Sequence, residues 1–135
     1  MINDKLTFPK KEKLCSNKQI EELFAKGKSF VTYPVRVVYI IRDENDLGKQ
    51  FASVLISVSK KRFKRANKRN RVKRLIREAY RLNKLELQET LVLKNKSIDI
   101  AFIYLKDTLP EYSEMKESVT KAIRLLSERV GEVNK

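Results

Sequence analysis

The chain has 135 residues and a formal net charge of +14 at pH 7, from 31 Lys or Arg against 17 Asp or Glu. Hydrophobic residues make up 41% of the sequence, including six Phe and five Tyr, which excludes a wholly disordered basic protein and favours one domain with a core. With no His and a single Cys, an internal disulfide is excluded and a zinc site nearly so, while the charge points first to nucleic acid and second to an anionic membrane surface.

The first predicted element is a short amphipathic helix from Asn17 to Lys26. Ser16 is placed to cap it, Gln19 completes a capping box, and Gly27 is the expected stop. Its apolar side chains recur at three- and four-residue spacing and form one stripe: Ile20, Leu23 and Phe24.

Two strands are predicted next. Phe30 to Ile41 has apolar residues on both faces. In Phe51 to Ser59, the apolar side chains of one face alternate with mostly serine side chains on the other. The residues between them, 43–48, are polar and read as a turn. The two strands are therefore predicted to form an antiparallel hairpin.

A strongly basic segment follows, from Lys60 to Arg81, with twelve Lys or Arg and one acid, Glu78. Its second half has a helical period, and Asn67 is placed to cap that helix. The stripe that faces the core consists of Val72, Leu75, Ile76, Ala79 and Asn83. The opposite side of the helix consists of Asn70, Lys73, Arg74, Arg77 and Arg81. Arg69 lies at the edge of the stripe, so its side chain must leave the core or find a polar partner. The segment is predicted to be a packed helix with one basic face, because a merely solvated face would mix charges of both signs.

The last third of the chain predicts a central strand and a final helix. Residues 85–96 read either as a second short helix or as an uncertain insertion before the strand Ile98–Leu105, whose near-continuous apolarity indicates an inner place in a sheet. Ser113 opens a helix from Glu114 to Val130, and Gly131 is expected to end it. Its apolar face consists of Met115, Val119, Ala122, Ile123, Leu126 and Val130.

This order of elements predicts a single α+β layered domain, 1–135, with 1–14 as a candidate flexible extension. No signal peptide and no run of ~20 apolar residues is visible, so a soluble cytoplasmic protein is expected.

The residues favour binding over catalysis. There is no His for proton transfer, no Gly-rich phosphate loop and no recognisable nucleophile, so no catalytic residue and no metal ligand is predicted. Acid pairs such as Glu21–Glu22 are interpreted as solvated charges, although convergence of Asp99 with other acids would allow a metal-dependent nuclease. The basic helix, in contrast, offers Arg forks and Lys point charges to a phosphate backbone.

The sequence from Ile56 to Lys61, then Lys64-Arg65-Ala66 and Arg69-Asn70-Arg71-Val72-Lys73-Arg74 with Arg77 three positions on, resembles the protein component of bacterial ribonuclease P. The helix around Asn17, Phe24 and Gly27 and the final strand and helix are also similar, so the resemblance spans nearly the whole chain. It implies a two-layer sandwich like domain 2 of ribosomal protein S5, with the basic helix in a left-handed βαβ crossover. That handedness runs against the usual rule.

The resemblance implies that the chemistry belongs to a partner RNA. The complex would cleave the 5′ leader from precursor tRNA with Mg²⁺ held by the catalytic RNA, and no DNA or membrane partner is expected. The RNA-binding residues implied are Lys60, Lys61, Lys64, Arg65, Arg69, Asn70, Arg71, Lys73, Arg74, Arg77 and Arg81. The leader cleft implied is Ile20, Phe24 and Tyr39, where the family commonly has Phe in place of Ile20 and Val38 is the alternative to the aromatic Tyr39.

Three other functions are weighed against this one. A ribosomal or other structural RNA-binding protein is the alternative. A DNA-binding regulator is weaker because no turn and recognition helix flank the basic helix, and a membrane-surface helix is weaker still.

Overall fold

A computed structural model describes residues 17–42 and 52–132 of the chain. In chain order the elements are α1 (Asn17–Lys26), β1 (Lys28–Thr32), β2 (Val35–Arg42), β3 (Ala52–Ser57), α2 (Ala66–Lys94), β4 (Ser97–Tyr104) and α3 (Tyr112–Glu132). The predicted flexible extension 1–14, the cap at Ser16 and the turn 43–48 lie outside the described residues.

The region predicted as one strand, Phe30–Ile41, is a hairpin of two strands. β1 and β2 pair antiparallel, with Thr32 opposite Val35, and the chain reverses at Tyr33 and Pro34 through a cis peptide bond. Proline has no backbone N–H to donate to a ladder, which explains why Pro34 lies at the reversal and not inside a strand.

The four described strands form one mixed sheet in the order β1-β2-β4-β3. β2 pairs antiparallel with both β1 and β4, whereas β3 runs parallel to β4. The predicted hairpin between Phe30–Ile41 and Phe51–Ser59 is therefore wrong, and the predicted inner place of β4 is confirmed. β4 takes that place because its sequence is apolar on both faces, and its side chains are buried there except for the half-buried Ile103.

α2 and α3 cover one face of the sheet and α1 covers part of the other. Alternate side chains of β2 separate accordingly: Val35, Val37 and Tyr39 pack with α2 and α3, and Val38 and Ile40 pack with Leu23 of α1. The prediction of a two-layer sandwich therefore omits one feature of the fold, because α1 adds a partial third layer on the other face of the sheet.

The basic helix and the uncertain segment after it form one continuous helix, α2. Its N-cap is Arg65 and not the predicted Asn67, whose side-chain oxygen accepts the N–H of Lys68. The helix continues through residues 85–94 because Leu87 and Leu91, four residues apart, are fully buried. It ends at Asn95, which adopts the left-handed conformation with φ 55° and ψ 46° and directs its N–H back to the last turn.

The core between the helices matches the predicted apolar faces. Val72, Ile76 and Ala79 of α2 are fully buried, as are the six predicted core residues of α3, each at most 1% exposed. Tyr80 of α2 is also fully buried. α3 continues through Gly131 to Glu132, so the expected stop at Gly131 is wrong.

Candidate nucleic-acid interface

The loop before α2 holds its basic side chains on a hydrogen-bonded turn. The backbone N–H groups of Arg62 and Phe63 both donate to the carbonyl of Ser59, at 3.1 and 3.2 Å. Phe63 is buried, and its ring stacks on Tyr104 with the centroids 6.1 Å apart. Burial of this aromatic side chain anchors the loop to β4, so Lys60 and Lys61 are presented on an ordered surface.

Arg69 ties this loop to α2. Its guanidinium donates to the backbone carbonyls of Phe63 at 2.8 Å and Lys64 at 3.0 Å. The sequence requirement that this side chain find a polar partner is therefore met inside the protein. These hydrogen bonds from Arg69 hold the loop, so fewer of its N–H groups remain for an outside ligand. In this Arg69 differs from its neighbours on the helix.

Most of the predicted RNA-binding residues form one exposed basic surface, which we call the basic face. Its exposed members are Lys60, Lys61, Lys64, Arg65, Asn70, Arg71 and Arg74, and Arg62 and Lys68 belong with them although the motif did not name them. Such a surface can contact a run of phosphates.

The remaining predicted residues lie along the inner border of the basic face. Lys73 and Arg77 are half-buried, and the Arg77 Nε points to the Lys73 carbonyl at 3.5 Å. Arg81 donates to the Glu78 carboxylate at 2.5 Å. The hydrogen bond from Arg81 lowers the pKa of Glu78 and raises that of Arg81, so both stay charged near neutrality. Glu78 thus neutralises Arg81 at the border of the basic face that is nearest the C-terminal half of α2.

A second surface lies on the α1 side of the sheet. Strand register places Val31, Arg36, Ile103 and Ser57 side by side across β1, β2, β4 and β3. These residues, which we call the open row, are exposed or half-buried, whereas the next row, with Val38 and Ala101, packs under α1. Phe24 on α1 is 49% exposed, and Ile20 is half-buried against the sheet. The open row is therefore the floor, and α1 the wall, of a cleft that we call the α1 cleft. A groove lined by Ser57, Ile103 and Lys61 leads from the open row to the loop before α2.

Tyr39 does not belong to this cleft. Its side chain is 2% exposed and lies on the opposite face of the sheet, where it packs with Phe30 and accepts a hydrogen bond from Arg129 at 2.7 Å. Val38 points to α1 instead. The prediction that Tyr39 lines the cleft is therefore wrong. Side chains alternate along a strand, and α1 packs on the face of β2 that carries Val38.

Arg36 is a candidate cleft residue that sequence reasoning missed. It is exposed on the α1 side, and its guanidinium is 3.4 Å from the Ser29 hydroxyl. The alternation of β2 carries this information, because Arg36 shares its face with Val38 and lies between the buried Val35 and Val37.

An ion-pair network locks α1 to the sheet. Arg42 on β2 donates to Glu22 on α1 at 2.7 Å and to the buried Asp99 on β4 at 2.9 Å. The hydrogen bond from Arg42 lowers the pKa of Glu22. Burial of Arg42 opposes its charge, but the hydrogen bonds to Asp99 and Glu22 outweigh that effect and raise its pKa. The network therefore connects α1 to β2 and β4, next to the packing of Leu23.

The described residues contain no group of three or more His, Cys, Asp or Glu able to hold a metal ion. Within the same residues, no helix is long and apolar enough to cross a membrane. The arrangement can bind a polyanion along the basic face and an extended chain in the cleft.

The chain is similar to known proteins along most of its length. A family model described as Ribonuclease P matches residues 8–127. The ribonuclease P protein component of Porphyromonas gingivalis is 45% identical over 114 residues, 84% of this chain and 82% of that protein. The corresponding protein of Clostridium novyi is 33% identical over 119 residues, 85% of this chain and 93% of that protein.

Solved structures of the same fold are also similar. The RNase P protein of Staphylococcus aureus matches with a TM-score of 0.65 at 22% identity, over 84% of this chain and 94% of that one. The RNase P protein of Thermotoga maritima matches with a TM-score of 0.62 at 24% identity, over 87% and 96%. These likenesses show the fold, an α+β domain with a four-stranded mixed sheet.

Proposed function

The chain belongs to the ribonuclease P protein component family, and on that premise we propose that it is the protein subunit of a bacterial ribonuclease P. In this role it binds the catalytic RNA and the 5′ leader of precursor tRNA and assists endonucleolytic maturation of the tRNA 5′ end. Its place of action is then the cytoplasm, where precursor tRNA is processed.

The observation that supports this proposal best is the ordered basic face. The exposed cations from Lys60 to Arg74 lie on a turn anchored by Phe63 and on a helix whose other side is core. A preordered surface of this kind loses little conformational entropy when phosphates bind, unlike a basic tail. The anchoring RNA contacts are therefore assigned to Lys60, Lys61, Arg71 and Arg74.

The cleft between α1 and the sheet is the proposed site for the leader. Phe24 offers a half-exposed ring for base stacking, and Arg36 offers a cation on the floor. Ile20 contributes apolar contact without a ring. Val38 takes the place that was predicted for Tyr39, so stacking depends on Phe24 more than the motif suggested.

Bond cleavage is assigned to the RNA subunit and to Mg²⁺ that the RNA holds. The likeness to domain 2 of ribosomal protein S5 and the left-handed course of the β3-α2-β4 crossover belong to the same proposal. The structural basis for the crossover is the parallel pairing of β3 and β4 around α2.

Salt-dependent binding to the catalytic RNA tests the basic face. The double variant Arg71→Ala with Arg74→Ala is expected to bind about tenfold or more weakly in low salt. Its slope of log affinity against log salt should fall in magnitude by about 1.4–1.8, because each lost phosphate contact contributes roughly 0.7–0.9.

The matched control removes two exposed charges elsewhere, by Lys116→Ala with Lys121→Ala on the outer side of α3. It should keep both affinity and slope. Equal slopes for the wild type and the Arg71/Arg74 variant would remove the basic face from the RNA interface.

A further inference from the structure

A cleft at the far corner of the sheet combines three cations with an unpaired strand edge. It is lined by Lys26, Lys28, Ile40, Ile41, Arg129 and Glu132, together with Tyr39, and has a volume of about 620 Å³. Lys26 and Lys28 flank the junction between α1 and β1, while Arg129 reaches in from the last turns of α3. We call this site the corner cleft.

The guanidinium of Arg129 is held in place by aromatic side chains. Its carbon lies 5.6 Å from the ring centroid of Phe30 and 6.0 Å from that of Tyr39, and Nη1 donates to the Tyr39 hydroxyl at 2.7 Å. A guanidinium has five N–H donors, so a planar set remains for a ligand. No carboxylate of residues 17–42 or 52–132 lies within ion-pair distance of Arg129.

The strand edge beside Arg129 adds backbone donors and acceptors. The pairing of β1 with β2 starts at Lys28 and Tyr39, so Ile40 and Ile41 extend beyond the first residue of β1. Among the described residues, their outer edge has no strand partner. Because successive residues of a strand direct their backbone groups to alternate edges, one of these two residues turns its N–H outward. Backbone N–H groups are common phosphate ligands, and this one adjoins a preordered Arg and two exposed Lys.

The corner cleft is separate from the basic face. The basic face begins at the end of the sheet where Phe63 packs on Tyr104 of the fourth strand, and it continues on α2, which flanks β3. The corner cleft lies at the opposite edge, beside β1, and near the other end of the strands. Because the two sites lie at opposite edges of the sheet, one short nucleic-acid helix bound to the basic face would not account for the cations of the corner cleft.

We propose that the corner cleft binds a phosphate of an RNA backbone and is a second anchor on the opposite side of the molecule from the basic face. Charge decides the class of ligand: Lys26, Lys28 and Arg129 outnumber the rim carboxylate of Glu132, which favours an anion over a cation. The Arg fork matches the tetrahedral oxygens of phosphate, and the cleft opens to the surface as a polymer requires. That the phosphate belongs to RNA rests on the proposed function.

Binding of the catalytic RNA by the variant Lys26→Ala with Lys28→Ala tests the RNA contact. Both side chains are exposed, so the fold is expected to stand. The expected result is a loss of about 3- to 10-fold in affinity at low salt. The slope of log affinity against log salt should also fall in magnitude by the contribution of about one to two phosphate contacts. The control Lys116→Ala with Lys121→Ala should match the wild type.

A titration of the ¹⁵N-labelled full chain with inorganic pyrophosphate tests the chemistry of the cleft without RNA. The Arg129 Nε–H resonance is expected to shift with pyrophosphate, to shift much less with glutarate at equal ionic strength, and to stop responding in the Lys26/Lys28 variant. Equal shifts with glutarate would indicate a carboxylate site, as an acidic peptide would use, and overturn the assignment.

The two arms separate the failures. If the wild type does not bind the catalytic RNA, the proposed function fails, and with it the RNA contact, while pyrophosphate still reports whether the cleft takes phosphate. If the wild type binds and the Lys26/Lys28 variant keeps the same affinity and slope, the RNA contact at the corner cleft is wrong and the proposed function stands. A pyrophosphate response together with unchanged RNA binding reduces the cleft to a small-anion site and overturns the proposal.

Discussion

Arg69 and Arg71 are two positions apart on α2 and differ in what their side chains do. Arg69 donates to two backbone carbonyls and holds the loop, whereas Arg71 is exposed on the basic face. A motif read as a string of cations treats them alike. The two roles can be distinguished only when the positions of the backbone carbonyls of Phe63 and Lys64 are known. No local sequence pattern gives those positions.

Gly27 is the residue at which the junction of α1 and β1 is tightest. A Cβ there would lie 2.3 Å from the Leu23 carbonyl oxygen and 2.8 Å from the Val38 Cγ1. The first contact is with backbone, which cannot move aside as a side-chain end can. Glycine is therefore required by close approach, and α1 can reach the Val38 side of the sheet only because it is there.

Gly27→Ala is expected to lower the free energy of unfolding by about 1–3 kcal/mol, since the added methyl group overpacks this junction. The matched change Gly131→Ala meets nothing within 4 Å and lies inside α3, so it should be neutral or stabilising by up to about 1 kcal/mol. Urea unfolding followed by circular dichroism measures both. Equal stabilities for the two variants would contradict the close approach at Gly27.

At the scale of elements, α1 is held by an ion pair as well as by Leu23. The Arg42 hydrogen bond lowers the pKa of Glu22 below its ordinary value of 4.5, so ionised Glu22 stabilises the docked helix above that pH. This contribution is lost as the pH falls below 4.5 through the lowered pKa. Arg42 keeps its charge throughout, because its pKa is raised.

Acid is therefore expected to loosen α1 before the rest of the molecule. The protection factors of α1 amides against hydrogen exchange, corrected for intrinsic exchange rates, should fall relative to those of α3 amides in the same sample as the pH drops from about 5 to about 3. Glu22→Gln should remove most of that pH dependence, and Glu21→Gln, on the exposed side of the same helix, should leave it intact. The same acid response in both variants would mean that Glu22 does not hold the helix.

The elements that the sequence predicts well are those with a long, consistent period. α3, the apolar stripe of α2 and the inner strand β4 follow from their own residues. Strand partners do not follow, because β3 alternates as well for a hairpin with β2 as for parallel pairing with β4. The choice of Tyr39 over Val38 failed for a related reason: both faces of β2 are apolar, and only the packing of α1 decides which face lines the cleft.

At the scale of the whole molecule, charge and shape divide the surface into three regions. The basic face lies at one end of α2, the α1 cleft crosses the open row, and the corner cleft lies at the edge of β1. The excess of charge and the family motif identify the first region from sequence. The resemblance also implies the second region through Ile20 and Phe24. Its residue Arg36 and the whole corner cleft require the sheet order, since Arg36 and Arg129 are isolated cations in the sequence.

The central claim is that this chain assists an RNA catalyst. Cleavage of a precursor tRNA bearing a 5′ leader by the catalytic RNA, at a Mg²⁺ concentration too low for the RNA to act without protein, tests it most directly. Added wild-type protein is expected to restore cleavage at the mature 5′ end, and the Arg71→Ala with Arg74→Ala variant should require a higher protein concentration for the same rate. No stimulation over the RNA without protein, at concentrations where the two bind, would contradict the account.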